Sequence, residues 1–378
     1  MKPLSLTRSV MDRVPAAPQP GDGMTDLSCD YSGFTVPGPV ADAIVWAARS
    51  TDLGRHNTAG GHYLRHAIVE KLGLENQLET CEDCVVLTAG ATAALCYVLG
   101  AMCDPGDSIL VPDPGSASYQ RLAASWGADT VRYPCALDGT PDWSALEDLV
   151  EHQTKAIVIN SPSDPAGAVL PGELLRELVD FARAHDLFVI SDEQLDMLRY
   201  DGPAAGGAAT FDTDGRVVSV YSLARSHALA GLRLGYCVAA PPLADAIARA
   251  QDSQLAAPST LALAAGLAAL TMDRTVVESM VASYEQMRDV VTVNLPAEVL
   301  PFQPQAGYFQ LVDISGSIYP DGHAFAAELL ARQKVRVAPG PRFGSVTARM
   351  IRLTLAVKER TLGQGIERLA AFLDESRA

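Results

Sequence analysis

From about residue 80 onward, short β-branched apolar runs alternate with longer amphipathic runs, and this alternation restricts the chain more than any other feature it has. Strand, helix and strand in succession make parallel β-structure, because parallel neighbours need a crossover that carries the chain back to the same end. The predicted strands are residues 85–88, 108–111, 130–133, 156–160, 188–192, 217–221 and 234–239. Residues 243–295 read as mostly helical. Strands near 309–312 and 349–355, a helix near 325–332 and a terminal helix from Glu359 complete a smaller unit. A chain of 378 residues has room for two to three units of about 150 residues. Prolines cluster between Pro296 and Pro304, so the expected organisation is an N-terminal arm (1–45), a large α/β domain with a mostly parallel sheet (46–295) and a small α+β domain (296–378). The Pro- and Gly-rich first forty residues are expected to wrap a neighbour.

Composition excludes several classes. Hydrophobic residues at 48% and charged residues at 20% suit an ordinary folded chain and not a disordered or collagen-like one. A formal net charge of −16 repels phosphate backbones and anionic lipid, so neither nucleic acid nor membrane is an expected partner. Seven scattered cysteines, an odd number, fit a reducing, cytoplasmic setting. Among them Cys81 and Cys84 form a lone CxxC whose acidic neighbours Glu82 and Asp83 disfavour thiolate, and no metal site is expected. The first twenty residues lack the apolar stretch of a secretory signal. Residues 84–103 are uncharged over a membrane-spanning length, but a β-branched run, a small-residue break and an Ala/Leu run predict a strand, a turn and a buried helix there.

Seven ordered blocks then carry a resemblance over about residues 27–375: GGHYLRHAI (60–68), TAGATAAL (88–95), DPGDSILVPDPGSASY (104–119), NSPSDPAG (160–167), SDEQL (191–195), SLARSHALAGLRLGY (222–236) and MIRLTLA (350–356). In this order and spacing they resemble the class I/II aminotransferases of the pyridoxal-phosphate (PLP) transferase fold, fold type I. The resemblance implies the aspartate aminotransferase-like fold and a homodimer with sites built from two chains. His56, His62 and Tyr63 lie where the family reaches its partner's site, although exposed polar residues at a helix start are the simpler reading. Gly90, Ala91 and Thr92 open a helix straight after a strand, which aims free amides and a positive dipole end at a phosphate-sized anion. With Ser222 and Arg233 they form the implied phosphate site. Asp192 matches the aspartate that pairs with the pyridine nitrogen. Arg352 matches the arginine that grips a substrate α-carboxylate through a bidentate fork.

The departures are equally specific. Arg225 stands where the family has its Schiff-base lysine, and a guanidinium that stays protonated cannot form an imine. The five lysines, Lys2, Lys71, Lys155, Lys334 and Lys358, all lie outside the blocks that would bring one to the cofactor. Leu195 and Asp164 replace the family's two partners of the ring hydroxyl, Ala224 replaces a phosphate-binding hydroxyl residue, and Ser116 replaces the aromatic that stacks on the ring. Losing three or four contacts of about 0.5–1.5 kcal/mol each would weaken PLP binding by orders of magnitude.

Three functions stay open. The first is an enzyme of specialised biosynthesis that forms no imine with PLP and acts on an amino-acid-like or keto-acid-like carboxylate held by Arg352. Its acid–base chemistry would fall to Asp164, Asp192, His227 and the cation Arg225, and Ser116, Tyr119, Asn160 and Leu195 would line the substrate. The second keeps PLP or pyridoxamine phosphate without a covalent link. The third is a non-catalytic partner of an active enzyme. His227 is open between acid–base and loop roles, and Tyr119 between covering for Ser116 and packing on the helix side. Arg225 is expected to bridge Asp192, Asp164 or both.

Overall fold

The computed structural model describes residues 23–50, 53, 58–201, 206–254 and 257–377. In chain order the first elements are β1 (Thr25–Asp26), α1 (Gly38–Ser50), α2 (Thr58–Glu75), β2 (Val85–Thr88), α3 (Ala91–Met102), β3 (Ser108–Asp113) and α4 (Ser118–Ser125). There follow β4 (Asp129–Pro134), α5 (Trp143–Asp148), β5 (Thr154–Asn160), α6 (Gly172–Ala184), β6 (Phe188–Asp192), β7 (Val217–Ser222), the short α7 (Leu223–Ser226) and β8 (Gly235–Val238). Then come α8 (Pro241–Asp252), α9 (Thr260–Thr271), α10 (Thr275–Asn294), β9 (Phe309–Asp313), α11 (Gly322–Gln333), β10 (Val335–Arg336), β11 (Ala338–Pro339), β12 (Met350–Thr354) and α12 (Glu359–Glu375).

Seven strands form one sheet in the order β2-β8-β7-β6-β5-β3-β4, parallel except for β8, as the alternation predicts. Helices cover both faces, which is why its strands are continuous apolar runs and do not alternate with polar residues. Along β5, Ala156 and Val158 enter one core with α3 and α8, while Ile157 and Ile159 enter the other with α6. Helix α6 earns its place through Leu175, Leu178, Val179 and Ala182, the helical spacing of a single buried stripe. The doubtful apolar stretch resolves as β2, a glycine turn and the buried helix α3, and among the described residues no single helix is long and apolar enough to cross a membrane.

A second, antiparallel sheet has the order β11-β12-β9, and its core recruits Tyr284, Met287 and Val291 of α10 together with Leu27. The described part of the N-terminal segment is therefore tied to its own chain. Strand β1 pairs in parallel with β10, Leu27 exchanges backbone hydrogen bonds with Arg336 and Thr354, and α1 runs without a break across position 45. His56 lies outside the described residues.

Behind β6 and β7 sits a buried carboxylate. Glu193 accepts from Ser191 Oγ at 2.9 Å, Ser219 Oγ at 2.8 Å and the Tyr221 hydroxyl at 3.0 Å, and burial pushes it up to about 7. An acid raised above its unfolded value of about 4.3 favours folding below that value and loses the contribution as pH climbs to the folded one. The stability of the native chain relative to Glu193→Gln should therefore fall between pH 5 and pH 8 in urea titrations, and a constant difference would refute this. At Gly33 a methyl group would lie 2.2 Å from the Ala356 carbonyl oxygen, because the segment entering the site presses against the chain after β12. Gly33→Ala should cost about 1–3 kcal/mol of unfolding free energy, read in the same titrations.

Candidate functional site

Strands β2, β5, β6 and β7 all end on one side of the sheet, at Thr88, Asn160, Asp192 and Ser222, and open parallel sheets bind ligands there. A cavity of about 100 Å3 lies over these ends. It brings together eight of the residues singled out in the sequence: Thr92, Ser116, Tyr119, Asn160, Asp164, Asp192, Leu195 and Arg225. Its volume is well under the ~300–1,000 Å3 of ordinary ligand pockets. A larger groove of about 370 Å3 between the end of α2 and α10 contains none of the predicted residues, so the smaller cavity is the candidate.

The phosphate end is assembled from backbone. Gly90 has φ +91°, a conformation open to glycine, and it frees the first amides of α3 just beyond β2. A Cβ at Gly90 would lie 2.9 Å from the Arg233 guanidinium, which places that cation at the helix N-terminus beside Ala91 and Thr92. Arg233 is exposed, and among the described residues no carboxylate pairs with it. Ser222 stands in register with Gly235, which is also in register with Thr88, but its hydroxyl caps α7 by accepting from the Ala224 amide.

The floor is Asp192. Its carboxylate accepts from the Tyr119 hydroxyl at 2.7 Å and from the Gln194 amide at 2.9 and 3.0 Å. Burial raises it above the usual range, and these donors oppose the rise. Tyr119 thus faces the cavity through its hydroxyl. Asn160 spends its amide on the carbonyls of Pro162 and Asp192 and on the Asp164 amide, so it holds the turn in shape. Ser116 caps Ser118, and Leu195 belongs to the core of the smaller sheet.

Two expectations are overturned. Arg225 does not bridge Asp192 and Asp164. Its guanidinium donates to the Asp30 carbonyl at 3.0 Å, the Asp30 carboxylate at 2.5 and 3.3 Å, and the Tyr308 hydroxyl at 2.6 Å. Asp30 arrives from the N-terminal segment, which the sequence placed elsewhere. Burial would raise the Asp30 carboxyl, but Arg225 and Arg352 hold it below the usual range. His227 is no acid or base of this site. The backbone turns at Ala228 with φ +56°, and the ring is buried beside Ser226 Oγ and the Ala269 backbone, where burial depresses it to about 4 and keeps it neutral.

Arg352 sits mid-strand in β12, between Leu311 and Ala338 of its neighbours, with its guanidinium 3.8 Å from the Phe309 ring and 4.5 Å from the Phe343 ring. Its Nη1 pairs with Asp164, and its Nη2 lies 3.8 Å from Asp30. The sequence missed Asp30, Gln194, Tyr308 and Phe343. Only Gln194 lay inside a quoted block; Asp30 and Tyr308 reach Arg225 from 195 and 83 residues away, and Phe343 comes from the loop before β12. His62 is exposed and pairs with Glu82, and Tyr63 is exposed. Cys81 and Cys84 are free thiols away from the cavity, and no cluster able to hold a metal occurs among the described residues.

Known proteins share this architecture. The aspartate/prephenate aminotransferase of Thermus thermophilus is 31% identical, with 99% of this chain and 97% of that protein covered. The arginine–pyruvate transaminase of Pseudomonas aeruginosa is 30% identical over 95% and 92%. The solved aromatic aminotransferase of Pyrococcus horikoshii superposes with a TM-score of 0.87 at 27% identity, covering 93% of this chain and 96% of that one. The model of aminotransferase class I and II matches residues 29–369, and the chain belongs to that family.

Proposed function

We propose that this chain is an aminotransferase-fold enzyme that works without a covalent PLP link on a small amino-acid-like or keto-acid-like carboxylate. The carrying observation is Arg225. It lies in the short helix α7, within the block whose resemblance puts it at the family's lysine, and its donors are committed to Asp30 and Tyr308. Of the lysines, Lys71 is buried on Asp196, Lys155 pairs with Asp107, Lys334 bonds the Ala331 carbonyl and Lys358 precedes α12, all away from the cavity; Lys2 lies outside the described residues.

The family uses PLP, and the residues present fit only part of it. Arg233 and the Gly90 turn suit a phosphate. The ring end does not fit: Asp192 is already bonded by Tyr119 and Gln194, Asp164 is bonded by Arg352, and no lysine among the described residues lines the cavity. In this reading Arg352 seats the ligand carboxylate, and Asp192, the buried carboxylate of the floor, is the proton acceptor. The open phosphate cradle favours one second reading, a phosphate-bearing cofactor held without a covalent bond. A homodimer in the cytoplasm is the assembly and location we propose, on the strength of the family and the seven free cysteines.

Incubation with PLP, borohydride reduction and mass mapping should give no adduct on any lysine, and a stable adduct would refute the reading. Arg225→Lys alone should recover little PLP binding, since Leu195 and Ser116 still deny the ring its contacts. For the cradle, thermal stabilisation by inorganic phosphate should require at least tenfold more ligand in Arg233→Ala; equal stabilisation of both proteins would show that the anion binds elsewhere.

A further inference from the structure

The Arg352 guanidinium is buried, and both of its faces are covered by aromatic rings, so a ligand can reach it only along its edge. That edge is already engaged. Asp164, from the turn after β5, places a carboxylate oxygen on Nη1, and Asp30 approaches Nη2. Asp164 also lines the cavity, so its carboxylate lies between the arginine and any ligand entering over the strand ends. A side-chain carboxylate on a guanidinium edge is chemically the same group as the ligand carboxylate that the proposed reading seats there.

We propose that Asp164 is an internal occupant of the carboxylate site, a pseudo-ligand that every incoming carboxylate must displace and that therefore sets which ligands the site accepts. The inference rests on the reading of Arg352 as the carboxylate anchor. Displacement is a competition between two like partners for one guanidinium, so a monocarboxylate gains little by it. A ligand with a second anionic group gains more, because the rim carries cations in excess. Arg342 adjoins Phe343, Arg121 lies on α4 with a 3.4 Å hydrogen bond to Ser118, and no carboxylate lies within ion-pair distance of either among the described residues. Burial lowers Arg342 and the neighbouring Arg352 and Arg121 lower it further, while Asp30 and Asp164 oppose the drop, so with Arg225 four guanidiniums face two carboxylates here. In a chain of net charge −16 such a cluster focuses small dianions onto one point. The ligand class is a small dicarboxylate or an equivalent dianion, and Asp164 discriminates against monoanions.

Succinate and propionate are suitable probes, titrated calorimetrically into the full chain. The native protein should bind succinate at least tenfold more tightly than propionate, tenfold being about 1.4 kcal/mol. Asp164→Asn, close to isosteric and uncharged, should tighten both by at least tenfold, and propionate by the larger factor. Asp164→Glu, which keeps a carboxylate within reach of Arg352, should stay within threefold of the native protein. If Asp164→Asn does not fold, Asp164→Ser supplies the same comparison. Affinities unchanged or weakened in the uncharged variants would overturn the proposal, as would absence of binding in both native and variant proteins. Arg352→Ala separates the two levels: if it still binds succinate as the native chain does, the carboxylate anchor itself is wrong, whereas loss of binding there with no gain in Asp164→Asn refutes only the internal occupant.

Discussion

The site depends on one run of ion pairs, Asp164 to Arg352 to Asp30 to Arg225. Each member comes from a different part of the chain: the turn after β5, the middle of β12, the N-terminal segment and the short helix after β7. Guanidiniums are expensive to bury without partners, and a pair broken on one side leaves a charge that the interior cannot solvate. The two arginines share Asp30, so the N-terminal segment contributes to both. Their flat faces add to the constraint, since Arg352 lies against Phe309 and Phe343 and Arg225 lies near Tyr308 and Phe309. The smaller sheet and the N-terminal segment are held over the strand ends by these contacts.

The two halves of the cavity behave differently for a physical reason. The anion-facing end is a property of backbone, a glycine turn and a helix start, with one arginine beside it, and so it depends little on the surrounding side chains. The ring end is a property of side chains alone. There Tyr119 and Gln194 saturate Asp192, Leu195 is apolar, and the charges are paired among themselves. Buried hydrogen-bonding groups are costly to leave unmet, so a change at one member of such a floor requires a change in its partners.

Much of the fold was legible because its causes are local. A sheet covered on both faces demands continuous apolar strands, and β2 and β6 begin and end where their sequences predict. The candidate residues that converge do so because they sit at the carboxyl ends of strands or in the turns and helix starts that follow them, where position along the chain already fixes position in the site. His227 failed for an equally local cause: it ends the short helix α7, and its ring is buried against Ser226 and the Ala269 backbone. Asp30 carried no signal. Nothing near position 30 marks it as the partner of an arginine 195 residues away.

By itself the sequence determined the alternating architecture, the family and the glycine turn that frees the helix amides. These follow from residue chemistry and short-range periodicity. The tertiary structure decided what each charge does: that Arg225 holds Asp30, that Arg352 holds Asp164, and that Asp192 is closed by Tyr119 and Gln194. Pairing of buried charges is set by which groups folding removes from water together, and that depends on contacts across the whole chain.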